Sequence, residues 1–124
     1  MIDDSVEVLD ALRRYLESEG VAVVGVASNG SDGVRAATEL DPDVILLDID
    51  LGDESGFEVA RLLASAGVSA HVIMISAHPE YGDFALDAPA AGFLSKAELS
   101  RESIDEIIAS SRPDGDQDGQ QPGA

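Results

Sequence analysis

The sequence predicts an α/β protein: a doubly wound parallel sheet with helices on both faces. Three observations predict it. Short apolar runs alternate along the chain with segments whose apolar residues recur at steps of three and four, the signature of strands alternating with helices. The length of 124 residues suits a single domain. Chemically capable polar residues stand just after the apolar runs, at the carboxyl ends of the expected strands, where such sheets hold their ligands.

The elements follow in order. Asp4-Ser5 caps a first helix whose stripe is Val6, Leu9, Leu12, Arg13 (through its stem) and Leu16, ending near Gly20. Residues 21–26 are small or β-branched and bounded by turn residues, as a buried strand is. A second helix carries Val34, Ala37 and Leu40, and Pro42 stops it. Residues 43–48 form a continuous apolar run between two acids, a central strand ending on Asp48. After a loop over 49–56 comes a third helix over 57–66, closed by Gly67, and then a strand over 71–76 that ends on Ser76. A short fourth helix is expected over 81–87, with Pro89 barring its continuation. Residues 91–94 make a last strand ending beside Lys96. Ser100 caps a fifth helix with Ile104, Ile107 and Ile108 inward, and Leu99 with Ile104 fits a hydrophobic staple. The domain therefore spans 1–111, and 112–124, rich in Asp, Gly, Gln and Pro, reads as a disordered acidic tail.

Seven basic against 25 acidic residues give a formal charge of −18, which disfavours nucleic acid and anionic lipid as direct partners. No cysteine is present, so disulfides, thiolate metal sites and cysteine nucleophiles are excluded, in keeping with a cytoplasmic location. The first residues lack the basic, apolar character of a secretory signal, and no apolar run approaches the roughly 20 residues of a membrane helix.

Lys96 is the only lysine. Were Asp3, Asp4 and Asp48 to converge, two carboxylates about 4 Å apart would repel by on the order of 4 kcal/mol, or about three pKa units. A cation or a proton has to relieve that, and hard oxygens without His or Cys suit Mg²⁺, which commonly shares its shell with a phosphate. Lys96 supplies a point charge for a phosphoryl oxygen, Ser76 a hydroxyl donor, and Asp48 a carboxylate able to attack phosphorus.

Ile2-Asp3-Asp4-Ser5, Val44-Ile45-Leu46-Leu47-Asp48, Gly56, Ile75-Ser76-Ala77 and Gly92-Phe93-Leu94-Ser95-Lys96 together resemble the receiver domain of two-component response regulators over residues 1–111. The resemblance implies a flavodoxin-like fold, strand order 2-1-3-4-5, with Asp48 as phosphoacceptor. It implies that Asp3 or Asp4, Asp48 and the backbone carbonyl of Asp50 hold Mg²⁺, that Lys96 pairs with the phosphoryl group, and that Ser76 and Phe93 switch position. His78, two residues after Ser76, is expected to modulate the lifetime of the acyl phosphate. The implied partners are a histidine kinase or phosphotransfer protein and an unidentified protein target, with homodimerisation through the fourth helix, fifth strand and fifth helix also implied. Self-phosphorylation and slow self-dephosphorylation are the only expected reactions.

Three departures from the family pattern stand out. Only Met1 and Ile2 precede the acidic pair where a whole first strand is usual, so that strand is truncated; the expectation is that the native product carries residues upstream of Met1, without which 21–26 lacks its ladder partner. Ala97 replaces a common proline after the lysine, and Gly52-Asp53 replaces a proline-containing loop. Plainer readings exist for each residue alone: Asp3-Asp4 as a helix cap, Lys96 as a surface cation, Phe93 as core. Two rival functions also fit in part. Leu47-Asp48-Ile49-Asp50 resembles the Asp-x-Asp of haloacid-dehalogenase phosphatases, and a receiver-like module that is never phosphorylated would share the fold.

Overall fold

The computed structural model describes residues 1–85 and 87–111. Helix α1 (Val6–Ser18) starts where expected, with the Ser5 hydroxyl accepting the Val8 N–H at 3.3 Å. Leu9 and Leu16 are buried. Val6 and Arg13, expected on the same stripe, face solvent instead: Val6 sits in the first turn, before the helix has run back over the sheet, and Arg13 pairs with Glu17 at 3.4 Å. Helix α2 (Gly30–Leu40) is capped by Asn29 and ends at Asp41, whose left-handed φ of 48° turns the chain before Pro42 is reached.

Strand β1 (Val44–Asp48) is followed by a feature expected only as a loop, a small hairpin of β2 (Asp50–Leu51) and β3 (Glu54–Ser55). Helix α3 (Gly56–Ser65), strand β4 (His71–Ser76), a 3₁₀ turn (Pro79–Tyr81) and helix α4 (Gly82–Ala85) come next. Strand β5 (Gly92–Ser95), a second 3₁₀ turn (Lys96–Glu98) and helix α5 (Arg101–Ser111) complete the chain described. Ser100 and Ser103 cap α5 reciprocally, and Leu99 and Ile104 are both buried, as a staple requires. The expected fourth helix over 81–87 is thus a turn plus one short helix; Leu86, within that span, and the expected tail 112–124 lie outside the described residues.

The main sheet is parallel, in the order β1-β4-β5, with Asp48 opposite Ile75 and Ser76 opposite Ser95. Ile2 adds single parallel bridges to Leu47 on one side and Ala27 on the other. The succession Ala27, Ile2, β1, β4, β5 is the expected 2-1-3-4-5 order, with its first two members reduced to one residue each. Among the described residues, 21–26 form no ladder, and only the next residue, Ala27, is bridged, to Ile2. Alternation along the strands divides the core. Ile45, Leu47, Val72 and Met74 pack towards Ala37, Val59 and Leu63 of α2 and α3, while Leu46, Ile73 and Ile75 pack towards Leu16 and Ile104 of α1 and α5. Each such aliphatic side chain contributes about 1.5–3 kcal/mol by leaving water. No helix among the described residues is long and apolar enough to cross a membrane.

Candidate functional site

Parallel strands deliver their carboxyl ends to one edge of the sheet, and there the separate sequence signals meet. The Asp3 backbone is fixed by its N–H on the Ala27 carbonyl at 3.1 Å. One carboxylate oxygen of Asp3 accepts the Ser5 N–H at 2.9 Å, and the other accepts the Lys96 ammonium at 2.8 Å. Asp48 repeats the arrangement: Oδ1 accepts the Asp50 N–H at 3.1 Å and Oδ2 accepts Lys96 Nζ at 3.1 Å. Both acids are buried, whereas Asp4 beside them is exposed. Carboxylate oxygens of Asp3, Asp4 and Asp48 lie within 4.8 Å of one another.

Lys96 reaches this position from the turn after β5. Glu98 holds that turn by accepting the hydroxyl of the buried Ser95 at 3.0 Å. Burial pushes the Asp48 carboxyl above its ordinary range, and the nearby Asp3 charge adds to this against the opposing pull of the Asp50 N–H and Lys96. Burial alone would lower the Lys96 ammonium, but its bonds to Asp3 and Asp48 outweigh that and raise it. One cation thus serves two buried carboxylates while a third approaches from solvent. Oxygen-only ligands at this spacing, with negative charge in excess, fit a small hard divalent cation.

The remaining predicted residues divide. Ser76 is buried at the end of β4, and its hydroxyl accepts the His78 N–H at 2.9 Å, leaving its own proton free to donate. The Asp50 carboxylate accepts the Gly52 N–H at 3.1 Å and is not in the group of Asp3, Asp4 and Asp48, whereas its backbone N–H reaches Asp48. The His78 ring is not brought into the acidic cluster: it is 62% exposed, packs edge-on to Tyr81 and lies 3.9 Å from Glu80. Phe93 is half-buried against Gly82 at the start of α4.

Sequence reasoning missed Glu54. Its carboxylate accepts the Gly30 N–H at 2.8 Å, tying the hairpin that carries Asp50 to the first turn of α2. The signal was there: Gly52-Asp53 between Leu51 and Glu54 is a two-residue turn led by glycine, and Gly52 takes a φ of 75°. Glu54→Ala is expected to cost about 1 kcal/mol, because the bond is charge-assisted but only partly buried. Urea denaturation of the two proteins measures it, with equal midpoints counting against the tether.

Residues 1–109 match the family described as the response regulator receiver domain. The chain belongs to that family. This receiver is 39% identical over 93 residues to a protein-glutamate methylesterase/protein-glutamine glutaminase of Myxococcus xanthus, a match covering 74% of this chain and 27% of that one. It superposes on the signal receiver domain of NarL from Mycobacterium tuberculosis with a TM-score of 0.74 and 32% identity, covering 89% of this chain and 91% of that one. It superposes also on the CheX–CheY–BeF₃–Mg²⁺ complex from Borrelia burgdorferi, with a TM-score of 0.71, 27% identity and coverage of 88% and 84%. The chain spans 27% of the methylesterase and about half of the other curated relatives. Its fold is the CheY-like, flavodoxin-like one of receiver domains.

Proposed function

We propose that this receiver takes a phosphoryl group on Asp48 from a phosphohistidine of a histidine kinase or phosphotransfer protein. The observation that carries the reading is the buried Asp48 carboxylate at a strand end, sharing one lysine with Asp3 beside an exposed Asp4. In the transfer an Asp48 oxygen forms a bond to phosphorus, the donor's P–N bond breaks, and the imidazole leaves with the electron pair. Asp3, Asp4, Asp48 and the Asp50 carbonyl would hold Mg²⁺, which neutralises charge on the phosphoryl oxygens. Lys96 moves its charge from Asp48 to a phosphoryl oxygen, and Ser76 donates its free hydroxyl proton to another. The neighbour bound to BeF₃ and Mg²⁺ supports this pairing of ligands.

With Ser76 drawn to the phosphoryl group, Phe93 moves from its seat beside Gly82 towards the space released, which alters the surface of α4, β5 and α5. That surface is the proposed route to a protein target or to a second copy, and at −18 the chain is unsuited to reading DNA itself. In this reading the receiver catalyses only its own phosphorylation and slow dephosphorylation, with His78 tuning the latter.

Treatment with acetyl phosphate and Mg²⁺ is expected to add the mass of one phosphoryl group per chain, and Asp48→Asn to abolish the addition. An unmodified wild type, folded by circular dichroism, would favour an unphosphorylated binding module. Steady multiple turnover of a generic phosphate ester would favour the phosphatase.

A further inference from the structure

Lys96 places one ammonium 2.8 Å from Asp3 and 3.1 Å from Asp48, yet the ladder that would fix its backbone ends one residue earlier, at Ser95 opposite Ser76. From Lys96 the chain enters the 3₁₀ turn over 96–98, whose closing bond, Leu99 N–H on the Lys96 carbonyl, is long at 3.4 Å. Ala97 does not restrict the backbone of the residue before it, as a proline would. Leu99 anchors the far end of the turn in the core beneath α1 and α5. The near end is held by Glu98 Oε1, which accepts the Ser95 hydroxyl at 3.0 Å and the Ser95 N–H at 3.4 Å. The two partners differ in exposure: Ser95 is buried, whereas Glu98 faces solvent. An exposed carboxylate held back against a buried hydroxyl gives up rotamer freedom, and what it secures is the step from strand to turn at which Lys96 departs.

We propose that Glu98 is a positioning residue for phosphoryl transfer, acting through Ser95 to fix the turn from which Lys96 reaches Asp3 and Asp48. The effect on transfer rests on the reading of Asp48 as phosphoacceptor; the effect on Lys96 does not. Lysine is a point charge on a flexible four-carbon stem, so its aim depends on where its backbone is held. A misplacement of about 1 Å at a reacting centre costs on the order of 100-fold in rate. The sign of the effect separates this role from plain electrostatics. Removing a negative charge near an anionic phosphodonor would speed transfer, whereas loosening Lys96 slows it. Glu98→Gln removes the charge and keeps an oxygen for Ser95.

The test compares the wild type with Glu98→Ala, Glu98→Gln, Ser95→Ala and, as an acid in the first turn of α5, Glu102→Ala. Because Lys96 is the only lysine, lysine labelled with ¹³C and ¹⁵N gives NMR signals from that side chain alone. Without Mg²⁺ or phosphodonor, its two ε-methylene protons are expected to be resolved from one another in the wild type, Glu98→Gln and Glu102→Ala, as in a fixed side chain. They are expected to merge in Glu98→Ala and Ser95→Ala. With acetyl phosphate and Mg²⁺, intact mass is expected to show labelling slowed about ten-fold in those two variants and within about two-fold of wild type, or faster, in the others. Protected amides at Ile73 and Met74 report that each protein is folded. Merged ε-protons in the wild type, resolved ones in Glu98→Ala, labelling of Glu98→Ala at the wild-type rate or faster, or Glu98→Gln as impaired as Glu98→Ala would each overturn the role. If no protein labels, wild type included, the reading of Asp48 fails, and the lysine signals alone decide whether Glu98 holds Lys96.

Discussion

Gly56→Ala is expected to lower the Tm by about 5–15 °C, the consequence of about 1–3 kcal/mol of overpacking in a domain of this size, and to abolish labelling of Asp48. A Cβ at position 56 would stand 2.2 Å from the Asp48 carbonyl oxygen and 2.8 Å from the Ile49 Cα. Both are backbone atoms, so no side-chain rotation relieves the clash. Gly56 cannot simply back away either, because its N–H is bonded to the Ile49 carbonyl at 2.7 Å and it begins α3. The strain therefore falls on the segment from Asp48 to Asp50, whose backbone aims the Asp48 carboxylate and offers the Asp50 N–H to it. Gly67→Ala makes the comparison: nothing lies within 4 Å of a Cβ there, and its cost is confined to the positive φ of 76°. Scanning calorimetry should find the loss at position 56 well above that at 67, and similar values would mean that close approach to Asp48 is not what position 56 serves.

Much of this fold was legible because its signals are local. The run ending on Asp48 and the run ending on Ser76 are strands with near-identical bounds in sequence and structure, since continuous apolar residues between turn formers have few alternatives in a parallel sheet. The acidic cluster was legible for a related reason: strand ends converge by topology, so Asp3, Asp48 and Lys96 meet once the strands are placed. What was not legible depends on the third dimension. Residues 21–26 have the composition of a strand, yet a ladder needs a neighbour, and composition cannot supply one. Arg13 has the right spacing for the buried stripe of α1 and still turns outward to Glu17, because its charge gains more from water than its stem does from the core. The Glu54 bond to Gly30 joins residues 24 apart, one in a hairpin strand and one at a helix start, and has no periodic trace in sequence.

Lys96→Met is expected to destabilise the protein by about 2–3 kcal/mol at pH 8 without divalent cations, less than the roughly 3–5 kcal/mol of a fully buried broken pair because Lys96 is 21% exposed. Methionine keeps the volume of the stem and removes the charge, which leaves the buried Asp3 and Asp48 carboxylates facing one another. The pH dependence follows from the direction of the shifts. With Lys96 in place, its raised ammonium contributes stability that is full below the ordinary lysine value of 10.5 and is lost as pH rises through the raised one. Without it, the already raised Asp48 carboxyl moves further up, so the native state holds a proton that the unfolded state releases above the ordinary value of 3.8. The variant should therefore regain stability relative to wild type as pH falls from 8 towards 5. Mg²⁺ should substitute for the proton at pH 8, adding about 2.7 kcal/mol at a hundred-fold excess over its Kd. Urea denaturation at pH 8 and pH 5, with and without Mg²⁺, measures the loss, its recovery at lower pH and the gain from the metal. A Lys96→Met protein as stable as wild type at pH 8 in the absence of metal would mean that the two carboxylates do not depend on the lysine, and the electrostatic account of the pocket would fall.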